Sequence, residues 1–225
     1  MTKKRKPTRR EGTVRVKTAR GRKNSSTRWL QRQLNDHYVQ EAQRLGYRSR
    51  AAFKLIEMDD KYKLIKSNMV VVDLGAAPGG WCQVAKQRGA KHVVALDILP
   101  MDPLAGVTAL EMDFTDDAAP DRLKEHIGGY ADIVMSDLAP NTIGHKKTDH
   151  LRIMALVEMA YDFACETLKP GGVFISKVFQ GGTSNEILNL MKQDFEKIRH
   201  VKPKASRKES AEEYVVATGF RKQGH

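Results

Sequence analysis

Cysteine is scarce. The 225 residues hold two, Cys82 and Cys165, both in helix-like segments. Two such thiols build no disulfide framework and read as small buried apolar residues, which points to a reducing, cytoplasmic setting. Long apolar runs are missing too. None approaches the roughly 20 residues that cross a bilayer, so no membrane partner is expected. The N-terminus, MTKKRKPTRREG, lacks the apolar stretch of a secretory signal. It is basic like a transit peptide but shows no amphipathic helix pattern. Acidic residues are nearly absent from the first 28 positions, where Glu11 stands alone against 12 Lys and Arg. The remainder holds 27 basic and 26 acidic residues, so the net charge of +12 sits almost wholly in that stretch. With few apolar residues, it cannot bury enough surface to fold alone. Residues 1–28 are therefore expected to be a disordered basic arm, and 29–225 a single domain. Such an arm binds polyanions by counterion release, which points to nucleic acid.

What is present is a regular alternation. Trp29 to Lys63 has a helical pattern, with Asn35 or Asp36 as a cap and Gly46 as a stop. A second helix follows Ser49, and Arg48, Arg50 and Lys54 cluster near its start, against the helix dipole. From Met69 onward strands and helices alternate. MVVVDL and HVVALDI are continuous apolar runs, as in strands buried on both faces of a parallel sheet. Further strands are expected at 107–112, 131–137, in GVFISKVF and at 214–219. Helices are expected at 80–88, 118–126, 149–168 (stopped by KPGG, Lys169 to Gly172) and 183–195. This pattern predicts an α/β fold with a mostly parallel, doubly wound sheet.

In such sheets ligands bind beyond the carboxyl ends of the strands. Three acids lie there: Asp73 before the glycine turn, Asp97 ending the second strand, and Asp113 after the third. Asp97 follows Gly75 by 22 residues, the spacing at which an acid takes ribose hydroxyls. Yet the turn, Gly75-Ala76-Ala77-Pro78-Gly79-Gly80, has Ala77 where a pyrophosphate loop wants glycine, and Pro78 removes a backbone N–H. The loop thus favours a nucleoside without a pyrophosphate. S-adenosylmethionine fits, with its ribose at Asp97, its adenine edge at Asp113 and its methionine part over the turn.

VVDLGAAPGGW, LDILPMDP, SDLAPN and LKPGGVFISKVFQG, in that order, resemble the RrmJ/FtsJ family of RNA ribose 2′-O-methyltransferases. The resemblance runs from about Ser26 (STRWL) to Gly219 (EEYVVATG); the basic arm looks longer than the family needs. It implies a Rossmann-like class I methyltransferase that transfers methyl from S-adenosyl-L-methionine to the 2′-hydroxyl of a uridine ribose. The implied partner is large-subunit (23S) ribosomal RNA or an assembling ribosomal particle. It also implies a catalytic set of Lys177, Asp137, Lys54 and Glu212, and cofactor contacts from Gly79, Trp81, Asp97, Asp113 and Asp137. Lys177 would be the base on the 2′-hydroxyl, with a pKa lowered by burial and by Lys54, while Asp137 would orient it. Glu212 is preferred to Glu213 because it stands two residues before Tyr214, as in the family's E-x-Y pattern; a register slip would exchange them. Trp81 is expected to pack beside the cofactor.

A lysine in mid-strand between Ser176 and Val178 is rarely structural, since burying an ammonium is costly. His145 and His150 flank KKTD, but no paired cysteine or carboxylate cluster supports a metal there, and a mobile loop over the substrate is expected instead. A cytosine-C5 enzyme would need a cysteine near SDLAPN, and an adenine-N6 enzyme an aromatic where Asn141 stands. The glycine turn disfavours a nicotinamide cofactor. A non-catalytic RNA-binding factor is disfavoured by intact Lys177 and Asp137. Arg28, Arg32, Arg48, Arg50 and Lys54 are the expected basic surface of the body, and no apolar helix face demands a dimer, so a monomer is expected.

Overall fold

The alternation resolves, in a computed structural model, into one seven-stranded sheet covered by helices on both faces. Residues 24–140, 146–179, 185–207 and 209–221 are described. The helices are α1 (Asn24–Leu34), α2 (His37–Leu45), α3 (Ala52–Tyr62), α4 (Gly80–Gln87), α5 (Ala119–Ile127), α6 (Lys146–Thr167) and α7 (Asn185–Asp194). The strands are β1 (Val70–Leu74), β2 (His92–Asp97), β3 (Val107–Glu111), β4 (Ala131–Ser136), β5 (Leu168–Phe179), β6 (Phe195–Val201) and β7 (Glu212–Phe220). Their spatial order is β3-β2-β1-β4-β5-β7-β6. The first five run parallel, whereas β7 is antiparallel to both β5 and β6.

Successive strand residues face opposite sides of a sheet, and the two cores follow that rule. Val72, Leu74, Val94, Leu96, Val134 and Phe174 pack with α5, α6 and α7. Val71, Val93, Ala95, Ile133, Met135 and Ile175 pack with α3 and α4. Burial on both faces is why β1, β2 and β4 read as unbroken apolar runs.

Several boundaries differ from expectation. Helix α1 begins at Asn24, inside the stretch assigned to the arm; residues 1–23 lie outside the described residues. Strand β6 was not foreseen, and the helix expected to reach Phe195 ends at Asp194. FEKIRHV carries Glu196, Lys197, Arg199 and His200, which suits an edge strand that resists further pairing. KPGG forms no separate stop: α6 ends at Thr167, and these residues start β5, with Gly171 at φ 81°.

Asp36 caps α2, accepting from Tyr38 N at 3.0 Å, and Gly46 closes that helix at φ 75°. The same carboxylate pairs with Arg50 at 2.9 Å, joining α2 to the entry of α3. Asp36→Ala should remove a cap and leave the largely buried Arg50 without its carboxylate. A loss of about 2–3 kcal/mol in urea unfolding is expected.

Candidate active site

The carboxyl ends of β1 to β4 open onto a cleft of about 740 Å³ lined by Gly75, Asp97, Met112, Asp113, Asp137 and Leu156, among others. Its floor is the glycine turn. Gly75 has φ +77°, and a Cβ there would lie 2.9 Å from Leu138 N, in the backbone leaving β4. No side chain fits at that point. Asp97 is held by backbone donors on both sides: Oδ2 accepts from Ala77 N and Oδ1 from Leu99 N, each at 2.9 Å. The turn and the loop after β2 therefore aim this carboxylate together. Asp113 is exposed, and bonds from the Thr115 backbone N–H and hydroxyl hold its carboxyl below the usual range.

Gly79 and Trp81 do not line the cleft. Gly79 supplies the positive φ, 103°, that starts α4. Trp81 is buried; its Nε1 donates to Ala51 O at 2.9 Å and its ring lies 5.6 Å from that of Tyr214. The indole supports the next layer of the site.

That layer gathers Lys177, Asp137, Lys54 and Glu212. The β5–β7 register sets Lys177 opposite Tyr214 and Phe179 opposite Glu212, so the Lys177, Tyr214 and Glu212 side chains share one face. Glu213 pairs with Val178 and falls on the other face. Asp137 follows β4 directly, and α3 brings Lys54 across from above. Lys177 Nζ lies 3.1 Å from Asp137 Oδ1 and donates to Asp137 O at 2.6 Å. Lys54 Nζ lies 2.5 Å from Glu212 Oε1 and 3.9 Å from Asp137 Oδ2.

The hub of this cluster is a residue that sequence reasoning did not select. Tyr214 Oη accepts from Lys54 Nζ at 2.9 Å and donates to Asp137 Oδ1 at 2.7 Å. Its signal was the E-x-Y pattern, used only to choose between glutamates. Burial, then the charges of Asp137 and Glu212, push the Tyr214 hydroxyl well above its ordinary pKa, so it remains a donor. For Asp137, burial raises the pKa, but Lys177, Lys54 and the Tyr214 bond together outweigh it and hold the carboxyl below the usual range. Asp137 is therefore ionised.

Beyond Lys54 and Glu212 lies a second cavity of about 370 Å³, lined also by Arg32, Arg50, Arg207 and Glu209, so that four cations there face two carboxylates. Of the expected basic surface, Arg32, Arg50 and Lys54 meet here; Arg48 lies elsewhere, and the Arg28 side chain is outside the described residues. Asn141 and His145 also lie outside them, and among the described residues no cluster of metal-ligating side chains forms.

The family profile of FtsJ-like methyltransferases matches residues 47–220, which span every element from the entry of α3 to β7. The chain belongs to the FtsJ-like methyltransferase family. It is 65% identical over 207 residues to the ribosomal RNA large subunit methyltransferase E of Maricaulis maris, covering 92% of this chain and 74% of the relative. Identity to the protein of that name from Gluconobacter oxydans is 62% over 214 residues, 95% of this chain and 80% of the relative. A crystal structure of a ribosomal RNA methyltransferase from Plasmodium falciparum superposes with a TM-score of 0.68 at 34% identity, covering 77% of this chain and 98% of that one. The chain is thus a Rossmann-like methyltransferase using S-adenosylmethionine, as the glycine turn and Asp97 had suggested. No helix among the described residues is long and apolar enough to cross a membrane.

Within the FtsJ-like site one acid is out of the ordinary. Asp73, under the glycine turn, is wholly buried; Oδ2 accepts from Cys82 Sγ at 3.0 Å and Oδ1 has no partner. Burial pushes its carboxyl from 3.8 up to about 7, only partly opposed by the thiol bond. Burial likewise pushes the Cys82 thiol up, so this cysteine is not reactive. Because folded Asp73 keeps a proton that the unfolded chain releases above 3.8, its contribution to stability falls as pH rises from about 4 to about 7. Asp73→Asn should remove that decline. Urea titrations at pH 4.5 and pH 8 should show wild type losing ground to the variant by at most about 3 kcal/mol.

Proposed function

We propose that this chain methylates the 2′-hydroxyl of a uridine ribose in large-subunit (23S) ribosomal RNA, acting as a monomer on an assembling ribosomal particle. The observation that carries this reading is the position of the four-residue cluster. Asp137 lines the cofactor cleft, while Lys54 and Glu212 line the basic cavity on the other side. A methyl donor and a phosphate-bearing acceptor can therefore meet at one point. The naming of the relatives as ribosomal RNA large subunit methyltransferases supports the choice of RNA. The exposed large apolar side chains, including Leu34, Leu45, Leu99, Leu151 and Leu190, are scattered over separate elements, which suits a monomer.

The cleft fits S-adenosylmethionine by its donor set. Asp97, fixed by two backbone N–H groups, takes the ribose hydroxyls; Asp113 takes the adenine edge; the glycine turn leaves room for the methionine part. Bound there, the cofactor supplies a methyl group on a sulfonium, already a good leaving group. The protein must then place the acceptor oxygen in line and remove its proton. Lys177 is the base. Asp137, which lines the cleft, grips it through both a carboxylate and a carbonyl oxygen, which fixes the amine beside that residue. Lys54, anchored by Glu212, positions the ribose from the basic side.

Mapping 2′-O-methyl groups on ribosomal RNA, with and without the protein, tests the whole reading. One uridine should appear with wild type and vanish with Lys177→Ala, while cofactor affinity stays nearly intact. Loss of a general base costs about 10²–10⁴-fold in rate. A variant retaining more than about a tenth of the rate would exclude Lys177 as the base.

The arm extends the proposal. The 11 basic residues against one acid in positions 1–23 add affinity without choosing the nucleotide, as phosphate contacts position but do not specify. Deleting Met1 to Lys23 should weaken RNA binding and flatten its salt dependence, by about 0.7 in log–log slope for each phosphate no longer neutralised. The methylated nucleotide should not change; modification of a different site would give the arm a role in specificity.

A further inference from the structure

Arg48 departs from the RNA-facing surface expected of it. It lies in the loop between α2 and α3, and one side-chain amide clasps that loop to α4. Gln83 Oε1 accepts from Arg48 N at 2.7 Å, and Gln83 Nε2 donates to Gly46 O at 3.0 Å. From this anchor the guanidinium crosses the glycine turn. Nη1 donates to Pro78 O at 3.3 Å and to Asp102 O at 2.7 Å; Nη2 donates to Pro103 O at 2.8 Å. One side chain thus ties the turn after β1 to the loop after β2. Those segments carry Ala77 N and Leu99 N, the two donors that aim Asp97.

Gly79 records how close the approach is. A Cβ there would lie 2.9 Å from Arg48 Nη1 and 2.8 Å from Met101 Sδ. The φ of +103° favours glycine there, and any Cβ would have to displace the ends of these two side chains. Among the described residues Arg48 forms no ion pair, so its donors go to carbonyl oxygens. A planar fork suits acceptors on two loops at once; a lysine ammonium presents no such fork.

We propose that Arg48 is a positioning residue for the cofactor: it locks the turn after β1 against the loop after β2 and so keeps the Asp97 carboxylate in its binding geometry. This rests on the placement of the cofactor ribose at Asp97.

The test compares full-length wild type, Asp97→Ala, Arg48→Ala and Arg48→Lys. S-adenosylmethionine affinity is measured by calorimetry, KM for the cofactor and kcat by methyl incorporation, and RNA affinity separately. Asp97→Ala should weaken cofactor binding about ten- to a hundredfold, the loss of charge-assisted bonds. Arg48→Ala should weaken it and raise KM by about tenfold, with kcat at saturating cofactor within about threefold and RNA affinity unchanged. Amide exchange at residues 77–79 and 98–102 should quicken. Arg48→Lys should fall between, and it decides the matter if Arg48→Ala does not fold: an unchanged KM overturns the proposal. Unchanged cofactor affinity in Arg48→Ala also overturns it, whether or not RNA affinity falls. If Asp97→Ala binds the cofactor normally, the ribose placement itself is wrong, and that failure is separate from a failure at Arg48 alone.

Discussion

A carboxylate carried into the protein interior must be compensated, and Asp137 sets the terms for much of this structure. Ionised and mostly buried, it requires positive partners at short range. Lys177 supplies one from β5 and Lys54 another from α3. Two buried ammonium groups then exceed one carboxylate, and Glu212 on β7 restores the balance. Two cations and two anions leave no net formal charge. Such a set is seldom the most stable filling for a core, since apolar residues of similar volume often do as well or better. Its presence beside an open cleft speaks for chemistry.

The cluster in turn constrains the rest of the fold. Lys54 reaches Asp137 only if α3 docks on the sheet, which the packing of Ala52, Leu55 and Met58 ensures. Glu212 is held in part by Ser206 Oγ at 3.2 Å, from the loop between β6 and β7. That loop is pinned to α3 as well. Lys204 N and Ala205 N donate to Glu57 at 2.5 and 3.0 Å, and Ala205 O accepts from Arg50 at 2.5 Å. Arg50, a candidate RNA contact by charge, is therefore mainly a brace between Asp36 and this loop. Helix α3 is the shared wall: one side completes the four-residue cluster through Lys54, and its entry loop carries Arg48 to the glycine turn.

The central strands were legible because burial on both faces leaves a continuous apolar run, and α2 because Asp36 and Gly46 mark its ends. Asp97 and Asp113 do stand at the cleft beyond the strand ends, but no pattern in the sequence showed that Asp73 is buried against Cys82. Strand β6 was not, because an edge strand carrying Glu196, Lys197, Arg199 and His200 has no apolar signature of its own. The start of α1 was hidden for a similar reason: its first residues, NSST, are polar and follow a basic tract. Gathering Lys54 with Glu212, 158 positions apart, came from family likeness alone, since no local pattern encodes a contact across such a separation. Tyr214 and Arg48 show the opposite limit. Their residue types were in plain view, but their roles depend on which atoms they reach. A tyrosine in a strand reads as packing and an arginine near a helix start as a solvated charge.

Tyr214 also explains why the cluster should respond as a unit. Its hydroxyl accepts from Lys54 and donates to Asp137, while Glu212 Oε1 lies 3.4 Å away. Because the phenol stays protonated, it supplies a donor toward Asp137 without adding a third negative charge. That leaves Asp137 Oδ1 shared between the phenol and Lys177, and fixes the carboxylate plane that orients the lysine. Losing any one member therefore changes the partners of at least one other. Removing Lys54 leaves Glu212 without its ammonium and strips Asp137 of its more distant cation; removing Glu212 leaves Lys54 drawn toward Asp137. Contacts shared in this way do not add independently. The geometry at Lys177 is consequently a property of β4, β5, β7 and α3 together, and no single one of these elements could hold it.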